Sequence, residues 1–301
     1  MDYLRIQEHP KLRSPLLVAS FEGWSDASEV ASWSTRFLVR QWEARKFAEV
    51  DPEEFFVFTE RRPDVKWIEK ERRTIIWPGN NFHYRVDPDR ERDFIILTGI
   101  EPHLKWKTFV SAVMQLIAQE DVYAVLSLGG VLASVPHTQP ARLTGTATDP
   151  DFMEHLADLR TPGGRYEGPT GIMSVLTSRL QEEGIPFASL WGSVPHYLSA
   201  RPNVRVSLAM LQQLDRALKL NLDLRRVERR ADEFDRQVNQ AVSGNSEINS
   251  YVRKLEEETG RAGVEEAPVP QGELPSGESI VQELEEFLRR HQGGVEGEEK
   301  P

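Results

Sequence analysis

Short apolar runs alternate with amphipathic stretches along the first 220 residues of the chain. Residues 16–21, 94–98 and 122–128 are largely apolar runs of strand length, which predict buried β-strands. Residues 26–44 and 105–119 repeat apolar positions at helical spacing and predict amphipathic helices. Strands that alternate with helices are typical of a mainly parallel sheet covered on both faces, so we predict an α/β fold.

The other predicted elements of this region continue the alternation, with one exception. Residues 65–86 are rich in β-branched and aromatic side chains around Pro78-Gly79-Asn80-Asn81, so we predict an antiparallel excursion that turns at this point. Further strands are predicted at 46–50, 55–59, 143–147 and 186–190, and further helices at 152–159, 170–182 and 204–219.

The pattern changes after residue 220, which ends the predicted α/β domain of residues 1–220. Between 224 and 241 apolar residues recur every three or four positions in a charged stretch, and the spacing resumes at Ile248 after a glycine-containing break. This predicts an antiparallel helical hairpin over residues 221–260. Residues 261–277 are rich in proline, glycine and glutamate and predict a flexible linker.

The last segment, residues 278–301, predicts a short amphipathic helix and an acidic tail. The helix begins near Ser279, and its apolar stripe consists of Ile280, Leu284, Phe287 and Leu288. A helix of about a dozen residues is marginal in water by itself. We therefore expect the stripe to dock in a basic-rimmed apolar groove, either on a protein partner or on another subunit.

The negative charge of the chain is concentrated near its C-terminal end. Of the formal net charge of −11, residues 255–301 contribute −9, with 13 acidic and 4 basic residues. The remainder is nearly neutral and has no basic stripe with interleaved aromatics, which argues against a nucleic-acid partner. Cysteine is absent, which excludes disulfides, thiolate metal sites and a cysteine nucleophile.

Nothing in the hydrophobic pattern indicates a membrane-bound or secreted protein. No apolar run approaches the length needed to span a bilayer, and the first residues lack the apolar core of a signal peptide. We therefore expect a cytoplasmic protein with no membrane partner.

The tetrapeptide Ser-Val-Pro-His occurs twice, ending at His137 and at His196, each time after a predicted strand. Proline cannot continue a strand ladder, so each histidine should lie just past a strand end. If the two strands are parallel, both imidazoles lie at the carboxyl edge of the sheet, where open α/β folds bind ligands. Glu22 and Asp26 follow another predicted strand and are expected at the same edge.

Two interpretations of these four side chains remain open. Two imidazoles and two carboxylates would suit zinc binding or acid–base catalysis, which makes His137, His196, Glu22 and Asp26 the catalytic candidates. Alternatively, each histidine ties its own loop to a neighbouring backbone carbonyl, and this structural role is the one we favour. The spacing matches no recognised metal signature, so we predict neither a metal nor a cofactor.

Four glycines lie in the stretch before the predicted helix at 170–182. Backbone N–H groups at a helix N-terminus bind anions, so Gly168, Thr170 and Gly171 are candidates for holding a phosphate or carboxylate. The stretch matches neither phosphate-binding glycine motif, and tight packing of the helix on the sheet explains the glycines equally well. In the helix at 26–44, Trp33 lies off the centre of the apolar face, packed either within its own chain or against a partner subunit.

Segments 21–27, 127–137, 166–172 and 184–197 together resemble the bacterial branch of the proteasome assembly chaperone family, chaperone 2 type. The resemblance extends over about residues 15–260. It implies a three-layer α/β/α sandwich related to the nucleoside phosphorylase architecture, and a homo-oligomer, a trimer. Archaeal and eukaryotic members dock on proteasome rings through a C-terminal hydrophobic residue and penultimate tyrosine. The present sequence ends in Lys300-Pro301, so we do not expect docking by that route.

Two classes of function are compatible with these features. In the first, the protein is a non-catalytic homo-oligomeric binding or assembly factor that works through its surfaces and its C-terminal helix. In the second, it binds a small molecule, or acts as a hydrolase or phosphorylase-like enzyme, at the strand ends near His137 and His196. Fold alone does not choose between them. The family resemblance favours the first.

Overall fold

The computed structural model describes residues 3–68, 72–148, 167–198 and 201–261. The strands of this part of the chain are β1 (Leu4–Ile6), β2 (Leu16–Glu22), β3 (Arg45–Val50), β4 (Asp64–Ile68), β5 (Arg72–Ile76), β6 (Asn80–Arg85), β7 (Phe94–Ile100), β8 (Ala124–Ala133), β9 (Leu143–Ala147) and β10 (Phe187–Pro195). The helices are α1 (Val30–Gln41), α2 (Trp106–Gln119), α3 (Ile172–Glu182), α4 (Val204–Leu218), α5 (Arg225–Ser243) and α6 (Ser246–Arg261).

Eight of the strands form one sheet in the order β1-β3-β6-β7-β2-β8-β10-β9. The four central strands, β7, β2, β8 and β10, are parallel to one another, whereas the flanking strands pair antiparallel. Central parallel strands are buried on both faces, which is why they read as continuous apolar runs in the sequence. The predicted α/β fold with a mainly parallel sheet is confirmed.

Helices cover both faces of this sheet and complete a three-layer sandwich. Because side chains alternate across a strand, Leu16 and Val18 of β2 join one core cluster and Leu17 joins the other. The first cluster lies beneath α1, α4 and α5, and the second lies beneath α2 and α3. No helix of the described ranges is long and apolar enough to cross a membrane.

Three local predictions differ from the structure. Residues 55–59 lie in turns and loop rather than in a strand. Phe55 is nevertheless fully buried, and its carbonyl oxygen accepts from the backbone N–H groups of His103 and Leu104. The excursion after β3 turns between Ile68 and Arg72, as a β4–β5 hairpin, and Asn80 already begins β6. The first α-helix starts at Val30 instead of Asp26, because Ser28 and Glu29 have left-handed backbone angles.

α5 and α6 lie within the span predicted as a helical hairpin, residues 221–260. Their apolar seams meet in a third core cluster that also contains Tyr197 and Leu198, the residues that follow β10. The hairpin is therefore packed on the body at the carboxyl edge of the sheet. The predicted helix at 152–159, the linker and the segment at 278–301 lie outside the described residues, apart from Arg261.

Candidate functional site

The two Ser-Val-Pro-His segments lie side by side at the carboxyl edge of the sheet. β8 and β10 are adjacent and parallel, and their last residues, Ala133 and Pro195, are paired. His137 therefore leaves β8 at the same edge where His196 leaves β10. Both imidazoles lie against Tyr197, with ring centroids 5.8 Å and 5.6 Å from the phenol ring.

The buried hydroxyl of Tyr197 contacts His137 twice. The backbone N–H of His137 donates to Tyr197 Oη at 2.8 Å, and the ring Nδ1 lies 2.7 Å from the same oxygen, within hydrogen-bond distance. Nε2 is buried beside Asn239 and makes no hydrogen bond of normal geometry to the described residues.

Both ring nitrogens of His196 are hydrogen-bonded, one to the end of β8 and the other to the helical hairpin. Its Nδ1 lies 3.1 Å from the carbonyl oxygen of Ala133, which can only accept, so Nδ1 carries the proton. Nε2 is then an acceptor, and Tyr251 Oη of α6 donates to it at 2.9 Å. This bond fastens α6 to the end of β10.

Both imidazoles are already engaged by tyrosine hydroxyls. Nδ1 of His137 shares a hydrogen bond with the Tyr197 hydroxyl, and Nε2 of His196 accepts from Tyr251. Burial lowers the pKa of His137, which Asn239 only partly opposes, and burial raises the pKa of both tyrosine hydroxyls. The four rings therefore form a hydrogen-bonded cluster that joins two parts of the fold.

Glu22 lies at the same edge but in a separate group of charges. One carboxylate oxygen accepts from Arg36 at 2.6 Å, and the other accepts from Arg61 at 2.9 Å. Arg36 also pairs with Glu29 at 3.2 Å. Glu22 is thus the centre of an ion-pair network that fixes the segment after β3 to the end of β2.

Asp26 caps the first helix. Its Oδ1 accepts from the backbone N–H groups of Ala31 at 2.8 Å and Ser32 at 3.2 Å. Burial raises the pKa of this carboxyl, while the bonds to Ser32 and Ala31 oppose the rise. Oδ2 is buried with no hydrogen-bond partner within the described chain. The structure places Asp26 in helix capping, which is a structural use of a carboxylate.

The carboxyl edge offers little room for a substrate near the imidazoles. A cavity of about 60 Å³ adjoins His137, with Arg205, Phe234 and Val238 in its lining. Small-molecule sites usually enclose about 300–1,000 Å³. Over the ranges that the structure describes, no group of three or more histidine and acidic side chains is arranged to hold a metal ion.

The N-terminus of α3 carries a carboxylate from the protein itself. Glu101 Oε1 accepts from the backbone N–H of Ile172 at 2.7 Å, and Oε2 accepts from that of Trp24 at 3.1 Å. A side chain at Gly171 would meet Glu101 Oε1 at 2.8 Å, so glycine is needed for this close approach. Gly168 and Thr170, the other anion-binding candidates, are exposed just before the helix. Sequence reasoning missed Glu101, which lies 71 residues away in the chain.

Trp33 is packed within its own chain. Only 8% of its surface is exposed, and its ring stacks on Phe37 with centroids 5.7 Å apart. Little of this side chain is left for a partner subunit, so the structure supports the intramolecular alternative. The other interface candidates, Ile280, Leu284, Phe287 and Leu288, lie outside the described residues.

An exposed apolar surface is the feature of this edge that the sequence did not reveal. Ten large apolar side chains of the described residues are 45–66% exposed, and nine of them lie at or beyond the carboxyl ends of the parallel strands. We call these nine the carboxyl-edge patch; they are Trp24, Val65, Trp67, Ile75, Ile76, Trp77, Leu104, Val131 and Leu132. The tenth, Val86, follows β6 at the opposite edge.

The sequence carries local signals for part of this patch. Trp24 stands in the turn after β2, and Val131 and Leu132 extend β8 beyond the end of β2. A tryptophan in a polar turn was the clearest indication of an exposed aromatic anchor.

Comparisons with known proteins agree with this fold. The PAC2 family profile matches residues 20–242. A PAC2 family protein from Streptomyces avermitilis is 35% identical with a TM-score of 0.71, and the match covers 79% of this chain and 99% of that one. A proteasome-assembly chaperone homologue from Mycobacterium tuberculosis is 30% identical with a TM-score of 0.70 and the same coverage of 79% and 99%.

More distant relatives share the fold alone. The archaeal proteasome activator PbaB from Pyrococcus furiosus is 20% identical with a TM-score of 0.64, covering 79% of this chain and 97% of that one. No curated protein sequence matches the chain significantly.

Proposed function

The chain belongs to the PAC2 family, and from this premise we propose that it is a non-catalytic, homo-oligomeric binding or assembly factor. One similar structure is a proteasome-assembly chaperone homologue, and we extend an assembly role from that protein to this chain. The client is a protein rather than a nucleic acid, since the chain is acidic overall and residues 1–254 are nearly neutral.

The carboxyl-edge patch is the observation that carries this proposal. Its three tryptophans, Trp24, Trp67 and Trp77, are each about half exposed and together leave on the order of 400 Å² of aromatic surface open. The largest apolar patch on a typical monomer is about 300–600 Å². Together with six further exposed aliphatic side chains at the same edge, this surface supports a protein–protein interface.

The state of the two histidines supports the non-catalytic part of the proposal. His137 and His196 each form a hydrogen bond through one ring nitrogen to a tyrosine hydroxyl, and the cavity beside His137 is small. Acid–base catalysis needs a proton acceptor within reach of a substrate. This arrangement supports a structural junction and gives no support to the enzyme alternative.

Self-association is assigned to the part of the patch that belongs to the body of the sandwich. Trp24 and Leu104 follow the neighbouring strands β2 and β7, and Val131 and Leu132 lie near the end of the adjacent β8. All four are exposed, and we call them the strip. We propose that this strip closes the oligomer, and that the oligomer is the trimer that the family resemblance implies.

Light scattering coupled to gel filtration tests this proposal at micromolar concentration. The wild-type chain should elute as a trimer, and Leu132→Ser should shift it towards monomer because a polar hydroxyl replaces an apolar contact. Val86→Ser is the matched control, since Val86 is equally exposed at 45% but lies at the opposite edge. A monomeric wild type, or equal disruption by both variants, would refute self-association through this strip.

A further inference from the structure

The β4–β5 hairpin presents an apolar face to solvent. Val65 is paired with Ile75 across the two strands, and Trp67 lies two residues further along β4, so these three side chains share one face of the hairpin. They are 46%, 53% and 66% exposed. We call these three residues the hairpin face.

The hairpin forms a sheet of its own, separate from the eight-stranded sheet. An isolated two-stranded hairpin is at best marginally stable in water. Its base is anchored by Trp77, whose ring lies 4.8 Å from that of Phe58. A cover over the hairpin face would therefore stabilise the hairpin as well as shield apolar surface.

The surroundings of the hairpin face are basic, unlike the acidic chain as a whole. By sequence, residues 61–73 carry six basic residues and three acidic residues, Asp64, Glu69 and Glu71. Arg62, Lys66, Arg72 and Arg73 are exposed. Arg73 lies on the hairpin face itself, since it is paired with Trp67. The surface thus fits a segment that combines an apolar stripe with acidic flanks.

The C-terminal sequence of the same chain has this composition. Residues 279–290 carry the apolar stripe Ile280, Leu284, Phe287 and Leu288, with acidic residues between them at Glu283, Glu285 and Glu286. The stripe has four apolar side chains, the same number as the hairpin face together with Trp77 at its base.

The chain also leaves the described fold at the correct edge. Tyr251 binds His196 at the end of β10, and Glu256 accepts a hydrogen bond from Thr138 just past the end of β8. α6 continues for five residues beyond Glu256 to Arg261, about 7.5 Å at 1.5 Å per residue. The described chain therefore ends near the carboxyl edge of the central strands.

The hairpin rises from this same edge. Arg61, three residues before β4, binds Glu22 at the end of β2, and β2 is the direct neighbour of β8. The sequence predicts a linker at residues 261–277, and sixteen residues of a linker of this composition would have a root-mean-square span of about 22 Å, which is several strand spacings of about 4.8 Å. The tether is long enough to bring the two surfaces together within one chain.

We propose that residues 279–290 dock intramolecularly on the hairpin face. The tether holds the segment at an effective concentration near the millimolar range, so weak contacts are sufficient for docking. The docked segment covers the apolar face, and a partner that binds this face must first displace it. The inference is independent of the proposed trimer, because it concerns a different part of the patch.

Introduced cysteine pairs test this docking in the full-length chain. The natural sequence has no cysteine, so a short bismaleimide reports only on the introduced pair. Ile75→Cys combined with Leu284→Cys should form an intrachain crosslink at least about tenfold faster than the control pair Val86→Cys with Leu284→Cys. Val86 is the suitable control because it is comparably exposed at the opposite edge.

A third variant asks whether the hairpin face itself holds the segment. Adding Trp67→Ser to the first pair should slow crosslinking at least about threefold, because it removes the largest side chain of the face. Circular dichroism of each variant checks that the fold is retained. Equal rates for the two cysteine pairs, no effect of Trp67→Ser, or products that join two chains would each overturn the proposal.

Light scattering on the same samples separates this inference from the proposed function. A monomeric protein that still forms the intrachain crosslink would refute the trimer and support the docking. A trimer whose two cysteine pairs react equally fast would support the proposed trimer and refute the docking.

Discussion

Replacing Tyr197 by phenylalanine removes one oxygen atom from the junction between the helical hairpin and the body. The phenol ring keeps its place in the third core cluster, so the change isolates the hydroxyl. That hydroxyl accepts from the backbone N–H of His137 at 2.8 Å and shares a second hydrogen bond with its ring Nδ1 at 2.7 Å. The variant leaves both nitrogens of a half-buried loop without this partner.

The expected loss of stability follows from these two bonds. A typical hydrogen bond contributes about 0.5–1.5 kcal/mol net, and an unsatisfied buried group costs about 1–3 kcal/mol. We therefore expect Tyr197→Phe to lower the free energy of unfolding by about 2 kcal/mol. Tyr251→Phe removes a single bond from a half-buried hydroxyl and should lower it by about 1 kcal/mol or less.

Urea denaturation followed by circular dichroism measures both values, with protein concentration held constant because an oligomer makes stability concentration-dependent. The midpoint should fall for Tyr197→Phe without a change in the slope of the transition. If Tyr197→Phe matches the wild type, or if Tyr251→Phe is the more damaging of the two, the hydroxyl of Tyr197 does not make the expected contribution to stability.

Two further predictions concern the same edge of the sheet. Burial lowers the pKa of His137, so its contribution to stability is complete above the unfolded value of about 6.5 and is lost as the pH falls through the folded value. His137→Asn should therefore flatten the dependence of unfolding free energy on pH below about 6.5, and an unchanged slope relative to wild type would contradict this assignment. Glu101→Ala removes the carboxylate from the start of α3 and should lower the unfolding free energy by about 1 kcal/mol. The control Glu182→Ala loses only an exposed ion pair and should change the unfolding free energy by about 0.5 kcal/mol or less. Equal effects of these two variants in urea titrations would show that Glu101 is not a helix cap.

Much of the local structure was predictable because strands and helices impose different periods on the sequence. The run at 16–21 alternates its side chains between two covered faces, and the whole run is therefore apolar. A predicted element was wrong where apolar residues are buried without forming a strand or helix. Phe55 is fully buried although it lies in a turn, so its apolar character predicted a strand that does not form.

The candidate site could be predicted only in part from the sequence. The repeated Ser-Val-Pro-His segments indicated where two histidines leave the sheet, since proline ends a strand wherever it occurs. The partners of these histidines were not indicated. Tyr251 lies 55 residues from His196, on a helix whose docking position depends on the third core cluster.

The sequence alone determined the order of elements, the α/β class, the helical spacing of the C-terminal hairpin and the family. These are properties of local pattern and of motifs that can be read in a single stretch of chain. Only the tertiary structure decided that Glu101 occupies the start of α3, that Trp33 is buried within its own chain, and that nine apolar side chains gather at one edge. The physical reason is that such contacts depend on strand order and register, which bring together residues far apart in the chain and leave no periodic signal in the sequence.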